Sequence, residues 1–300
     1  MRWPSPVHAL RGDFVQVDAT RFFIAEEFTP LFHTPTYAVL PQTVRLRYNQ
    51  LHACYFNEQV TFFEQEMLSP ALRALARAKL PQRLVEGVRE FYRDEQRHTA
   101  AFRALNRQCA PEFYAHRDYF FIGLSPTSRA LVRTISGWPR LFPLLLWLAL
   151  MQEERSLFYS KRCLDQAEHL EPRFIATHRA HVADEVGHIS WDEELLDCLW
   201  PRATQFVRSA NARLLNWLVR EFFLLPKRSG LRVVEQLICE FPRLNAGALR
   251  CAMAGLAEND AYLRTLYSRA ITPRTFARFD RDPELALLAR TLPGYVPSRA

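Results

Sequence analysis

Apolar residues recur at spacings of three and four over long stretches of this chain, while the strict alternation expected of strands is nearly absent. The pattern predicts an all-α protein. A helix is expected over residues 44–68, stopped near Ser69 and Pro70. Pro81 stands where a first-turn proline belongs, at the head of a second long helix over 82–108. Residues 109–138, punctuated by Pro111, Pro126 and Gly137, read as a long crossover to a third helix over 140–168. Pro172 opens a fourth helix that ends before Pro201, and residues 1–43 read as an irregular, proline-punctuated arm. The last hundred residues read as further amphipathic helices with breaks at Pro226, Gly230, Pro242 and Pro273. We expect one domain over 1–300, with a four-helix core at 44–200 and accessory helices at 201–300.

Chemistry enters where polar groups interrupt the apolar faces. The second helix carries Leu84, Val88, Phe91, Glu95, His98, Phe102 and Leu105 along one face, so two polar side chains sit in the middle of an apolar seam. Residues 94–98 read Asp-Glu-Gln-Arg-His, and residues 184–188 read Asp-Glu-Val-Gly-His. On a helix, positions i and i+3 project from one face about a turn apart, so each Glu and His can grip one metal ion or share two. Bundles of the ferritin type build a dinuclear centre from two Glu-x-x-His helices and one Glu from each of two others. The repeated motif therefore predicts a ferritin-like bundle with one inward Glu on each of helices one and three.

On helix three, Glu154 has Leu150, Met151, Leu157 and Phe158 around it, a stripe where a lone carboxylate is costly to bury without a cation. Glu154 is taken as the ligand and Glu153 as its outward neighbour. On helix one, Glu58 shares a stripe with Leu51, Cys54, Tyr55, Thr61 and Phe62, whereas Glu64 lies on a rival stripe with Val60, Met67 and Leu68. Glu58 is preferred, with Glu64 as the alternative. On helix four, His181 stands four residues before Glu185 and seven before His188, adding a third imidazole to the strip. His178 extends that strip by a turn, either behind the ligands or at the surface.

Composition narrows the function classes. Hydrophobic residues make up 49% of the 300 and charged residues 24%, a globular balance that excludes disordered, collagenous and coiled-coil chains. The net charge of +7 comes from 39 basic residues, of which only Lys79, Lys161 and Lys227 are lysines; they form no basic block, which argues against a nucleic-acid partner. The longest uncharged apolar run, Leu141 to Met151, contains Pro143 and is too short to span a bilayer of about 20 residues. Six widely spaced cysteines form no CxxC pair, and the opening residues lack a signal-peptide run, so a reducing cytoplasm is the expected location.

Together, "NEQV" at Glu58, "RDEQRHT" from Asp94, the lone Glu154 and "HVADEVGHIS" from His181 resemble the para-aminobenzoate N-oxygenase family, ferritin-like diiron enzymes that oxidise amines. The resemblance covers about residues 48–200. It implies that Glu95 and Glu185 bridge two irons, with Glu58 and His98 completing one ion and Glu154, His181 and His188 the other. It also implies that Asp94 and Asp184 accept hydrogen bonds from ligating histidines.

The expected activity is that of a cytoplasmic non-haem diiron monooxygenase of secondary metabolite biosynthesis. It would use dioxygen to oxidise a small-molecule amine, free or carrier-protein-tethered, to the hydroxylamine, nitroso or nitro level. Iron (Fe2+/Fe3+) is favoured over manganese, which uses the same ligand types. The sequence holds no flavin, nicotinamide or iron–sulfur motif, so an external electron donor is expected. The stripe Ala212 to Leu225 offers either a homodimer face or packing within the monomer. The rival readings are a diiron hydroxylase or desaturase acting on carbon, and a non-catalytic metal-binding helical protein.

Overall fold

A computed structural model of the protein describes residues 17–297. The opening segment, on which the expected absence of a signal peptide rests, lies outside them, as does the start of the proline-punctuated arm. Among the described residues the chain is helical with no strand, apart from one isolated bridge between Phe22 and Leu170. No described helix is long and apolar enough to cross a membrane.

Four long helices form the core: α1 (Gln42–Phe62), α2 (Gln82–Cys109), α3 (Leu144–Asp165) and α4 (Pro172–Leu199). Helix α3 packs along α4, α2 packs against both α4 and α1, and the segment Phe63–Leu68 that continues α1 touches α3, which closes the ring. This is the ferritin-like arrangement that the doubled motif predicts. Gly87 lets α2 and α4 approach closely, because a Cβ there would stand 2.6 Å from the ring of Trp191.

Helix one departs from expectation at its far end. Ser69 and Pro70 do not stop it; α1 passes into a π-turn (Phe63–Leu68) and then into a further helical segment (Ser69–Leu75). Pro70 falls in the first turn after the wide segment, where the regular ladder of backbone bonds is already interrupted, so its missing N–H is tolerated. The crossover also holds more structure than the prolines suggest. Pro126 opens a helix (Pro126–Gly137) whose start is capped by the Ser125 hydroxyl accepting from the Ser128 N–H.

Beyond the core, the helices Gln205–Leu218 and Pro273–Phe279 pack on α3, and the helix Arg228–Glu240 packs on α1. Gly230 does not break that last helix but lies in its first turn, and Pro273 opens a helix instead of ending one. Along the stripe Ala212 to Leu225, Ala212, Leu215, Leu218, Val219 and Leu224 are buried within the monomer, while Trp217 and Phe222 remain open.

Candidate metal centre

The middle of the bundle is polar in a way no globular core tolerates without cause. Glu64, Glu95, Glu153 and Glu185, with His98, His181 and His188, are buried together where α1, α2, α3 and α4 converge. Their ligand atoms fall into three overlapping groups, Glu64–His98–His181, Glu95–His98–His188 and Glu153–Glu185–His188, and within each group the atoms lie within 4.8 Å of one another. His181 Nε2 stands 2.8 Å from Glu185 Oε1 and 3.5 Å from Glu64 Oε1. His188 Nδ1 stands 3.2 Å from Glu95 Oε1 and 3.9 Å from Glu153 Oε2.

Five of the residues singled out from the sequence (Glu95, His98, His181, Glu185 and His188) meet at this point, and two do not. Glu58 is fully buried but turned to the crossover. Its Oε1 accepts the Tyr114 hydroxyl at 2.7 Å and the Phe120 N–H at 2.7 Å, and its Oε2 accepts the Phe121 and Ile122 N–H groups at 3.0 and 2.7 Å. Glu64, on the π-turn, takes the place expected of Glu58. A π-turn holds more residues than an α-turn, so the face followed from Leu51 to Phe62 does not continue at the same angle through Glu64.

Glu154 is likewise occupied elsewhere. It accepts from the Arg274 N–H at 2.8 Å, the Thr275 N–H at 2.9 Å and the Thr275 hydroxyl at 2.7 Å, holding the first turn of the helix Pro273–Phe279. Glu153 is the α3 carboxylate that joins the cluster. The apolar stripe around Glu154 misleads because α3 is covered on every side: all residues from Leu144 to Met151 are buried. Neighbouring glutamates can then both be internal and serve different partners. The grouping also differs from the one the resemblance implies, since His181 stands with Glu64 and not with the α3 carboxylate.

The histidines are held from behind across the helix pair. His98 on α2 presents Nδ1 to the cluster while its Nε2 lies 3.1 Å from Asp184 of α4. His188 on α4 presents Nδ1 inward while its Nε2 lies 3.5 Å from Asp94 of α2. Arg97 reaches both aspartates, at 2.6 Å from Asp94 and 3.2 Å from Asp184. Phe91 stacks on His188 at 4.2 Å and Phe102 meets His181 edge-on at 5.2 Å, fixing the rings and excluding water. His178 is buried, hydrogen-bonded to the Ser160 hydroxyl at 3.0 Å, and its burial lowers it to about 3, so it is a neutral wall residue and not a surface one.

The electrostatics is that of carboxylates and imidazoles crowded together out of water. Burial, and then the charge of Glu95, raises Glu64 to about 7. Burial and the Glu185 carboxylate push Glu153 well above the ordinary range. Glu185 resists its own burial and is held well below the usual range by His181 and its other partners. His98 is raised to about 10, since Asp184 and Glu95 overcome the cost of burial. Asp192, one turn beyond His188 on α4, is fully buried with both oxygens unpartnered, and burial pushes its carboxyl well up.

These residues fit a pair of divalent cations. Both oxygens of Glu95 and of Glu185, Nδ1 of His98, Nε2 of His181 and both ring nitrogens of His188 are buried without a hydrogen bond of good geometry, although His181 Nε2 and Glu185 Oε1 lie 2.8 Å apart. Leaving so many polar atoms unsatisfied in a core costs roughly 1–3 kcal/mol for each. Two dications would neutralise the four glutamates and supply the orphaned atoms that face the cluster with partners.

The cross-bracing carries its own expectation. Asp184→Asn keeps the shape but weakens the hold on His98, so divalent-metal affinity should fall by about 10- to 100-fold in a competitive chelator titration. Unchanged affinity would show that Asp184 does not tune its histidine.

In the structure Glu64 and Glu95 stand level, since Glu64 lies eleven residues before the end of Ser69–Leu75 and Glu95 thirteen after the start of α2. Glu58 lies six residues further back along the bundle. The sequence bounds do not show this, because a helix ended near Ser69 lacks the segment on which the count depends. For Glu153 against Glu154 no signal exists either.

No curated protein matches the chain. The family model described as p-aminobenzoate N-oxygenase AurF matches residues 5–235, beyond the 48–200 over which the motifs carry the resemblance. That match spans most of the chain, the four core helices and the helix after them, and it coincides with a buried Glu/His cluster that can hold metal. The chain belongs to the p-aminobenzoate N-oxygenase AurF family.

Proposed function

We propose that this protein is a diiron N-oxygenase that uses dioxygen to oxidise the nitrogen of a small-molecule amine to the hydroxylamine, nitroso or nitro level. The observation that supports this most directly is the set of buried donor atoms without partners on Glu95, His98, His181, Glu185 and His188, in a chain of this family. When bound, a pair of iron ions supplies the Lewis acidity and electrons that dioxygen reduction requires. Manganese is the second choice of metal.

The protein's own residues supply geometry and exclusion of water. Glu64, Glu95, Glu153 and Glu185 with the three histidines hold the pair; Asp184, hydrogen-bonded to His98 Nε2, keeps that nitrogen protonated and the inward one free to ligate, while Asp94 faces His188 Nε2 at 3.5 Å. Phe91, Phe102 and Phe56 keep the surroundings apolar. The chain has no motif for a redox cofactor that would recharge the metals, so an external donor does so. We place the enzyme in the cytoplasm, in secondary metabolism.

Metal analysis of aerobically purified protein should return about two iron ions per chain. Mass spectrometry of turnover mixtures under labelled dioxygen should then place label on nitrogen of candidate amines. Label on carbon would move the enzyme to the hydroxylases. Fewer than about one metal per chain, unaltered by Glu95→Ala, would overturn the reading.

A further inference from the structure

Two cavities share a wall beside the metal centre. The smaller, about 50 Å³, is lined by the ligand-bearing residues Glu64, Glu153 and His181, and by Arg155. The larger, about 290 Å³, is walled by aromatic residues such as Tyr55, Phe62, Trp217 and Phe222. Gln59, Phe63 and Phe223 border both and form the partition between them.

Arg155 is the unexplained group. It stands two residues after Glu153 on α3 and opens on the same small cavity. A half-buried guanidinium such as this ordinarily pairs with a carboxylate, because an uncompensated charge drawn out of water is costly. Here the surroundings are tyrosines: Arg155 lies over the rings of Tyr159 and Tyr267 at 4.9 and 5.3 Å, and donates to their hydroxyl oxygens at 3.4 Å each. Both bonds are long, and Nε has no hydrogen-bond partner. The charge is therefore held in place by ring faces and hydroxyls, with one edge of its donor fork unused. A carboxylate is the anion whose two oxygens match that fork.

Resting on the reading of the centre as N-oxygenating, we propose that Arg155 binds the carboxylate of an α-amino acid substrate. The amino group then lies at the metal ligands, and an apolar side chain points past Gln59, Phe63 and Phe223 toward the larger cavity. The adjacency is what selects the α-amino acid: cation and ligands share one small chamber, so amine and carboxylate must be separated by few atoms. A carboxylate at the far end of an aromatic amine would instead lie in the larger cavity, whose cations are Lys227, paired with Glu221 at 2.9 Å, and Arg228, which is exposed to solvent and outside the chamber of the ligands.

Anaerobic calorimetric titration of the ferrous-loaded full chain tests this without turnover. Phenylalanine is expected to bind at least tenfold more tightly than 2-phenylethylamine, which lacks the carboxylate, than 3-phenylpropionate, which lacks the amine, and than 4-aminobenzoate. Arg155→Met should bring phenylalanine to the affinity of phenylethylamine, and Arg155→Lys should retain part of the difference. Equal binding of the two amines, tighter binding of 4-aminobenzoate, no binding of phenylalanine, or an unaltered Arg155→Met overturns the proposal. If Arg155→Met does not fold, the four ligands on the unaltered protein decide alone. Metal content measured on the same samples separates the two readings: protein that takes up no iron fails the oxygenase assignment, whereas iron-loaded protein indifferent to the carboxylate fails only the Arg155 subsite.

Discussion

Glu153→Ala should remove about half of the bound metal and leave the metal-free protein at least as stable as the unaltered chain, whereas Glu154→Ala should destabilise it by roughly 2–4 kcal/mol. The two residues are adjacent in sequence and both are buried, so exposure does not separate them. What separates them is what each carboxylate faces. Glu153 faces Glu185 and His188, and its crowding among carboxylates makes its charge a liability until cations arrive. Removing it relieves that repulsion and deletes one position of the centre. Glu154 accepts two backbone N–H groups and a hydroxyl at the start of Pro273–Phe279, and Ala leaves those donors without a partner. Thermal melts in chelator, with metal analysis of the same two variants, check both halves; equal melting temperatures would show that Glu154 does not hold the C-terminal helix.

Removing the metal should reverse the sign of the pH dependence of stability. In the metal-free protein, Glu64 is raised to about 7 and Glu153 well above the carboxylate range, so folding disfavours their ionised forms. His98 is raised to about 10 and His188 well above its usual value, so folding favours their protonated forms. For the raised carboxylates, stability is lost as pH climbs from the unfolded value near 4.5 through the folded one. For the raised histidines it is fully present below 6.5 and is lost as pH rises through 10. All four act together, so metal-free protein should unfold more readily at pH 8 than at pH 5.5. Metal-loaded protein should do the opposite, because the ligands must shed those protons to bind and metal affinity falls with acid. Denaturant titrations at the two pH values, with and without chelator, give the comparison. Parallel slopes in the two states would show that the cluster does not exchange protons for metal.

The four long helices, and the pairing of Glu95 with His98 and of Glu185 with His188, are legible from the sequence because each obeys a local rule. Regular α-geometry converts spacing into direction, and both motifs lie well inside unbroken helices. Glu64, named from the sequence only as the alternative on helix one, ranked second because the π-turn changes the residues per turn just where it stands. Glu153 was masked for a different reason. Amphipathicity points inward only when a helix has an outside, and the first half of α3 has none. The true partners of Glu58 and Glu154 lie 56 or more positions away, in the crossover and in the last helices, where no periodicity announces a carboxylate acceptor. Glu58 and Glu154 both organise irregular backbone around the bundle, a role that burial and sequence pattern do not distinguish from metal ligation.

The aspartates behind His98 and His188 carry one more implication. Each imidazole on one rod is steadied by an acid on the facing rod, and Arg97 ties the two acids together. A slip of α2 past α4 by a single turn would release both rings at once. The cavity for the cations is thus a vernier for the alignment of these two rods: it reads true at one setting only, and a chain folded out of step by a turn would announce itself by failing to take up metal at all.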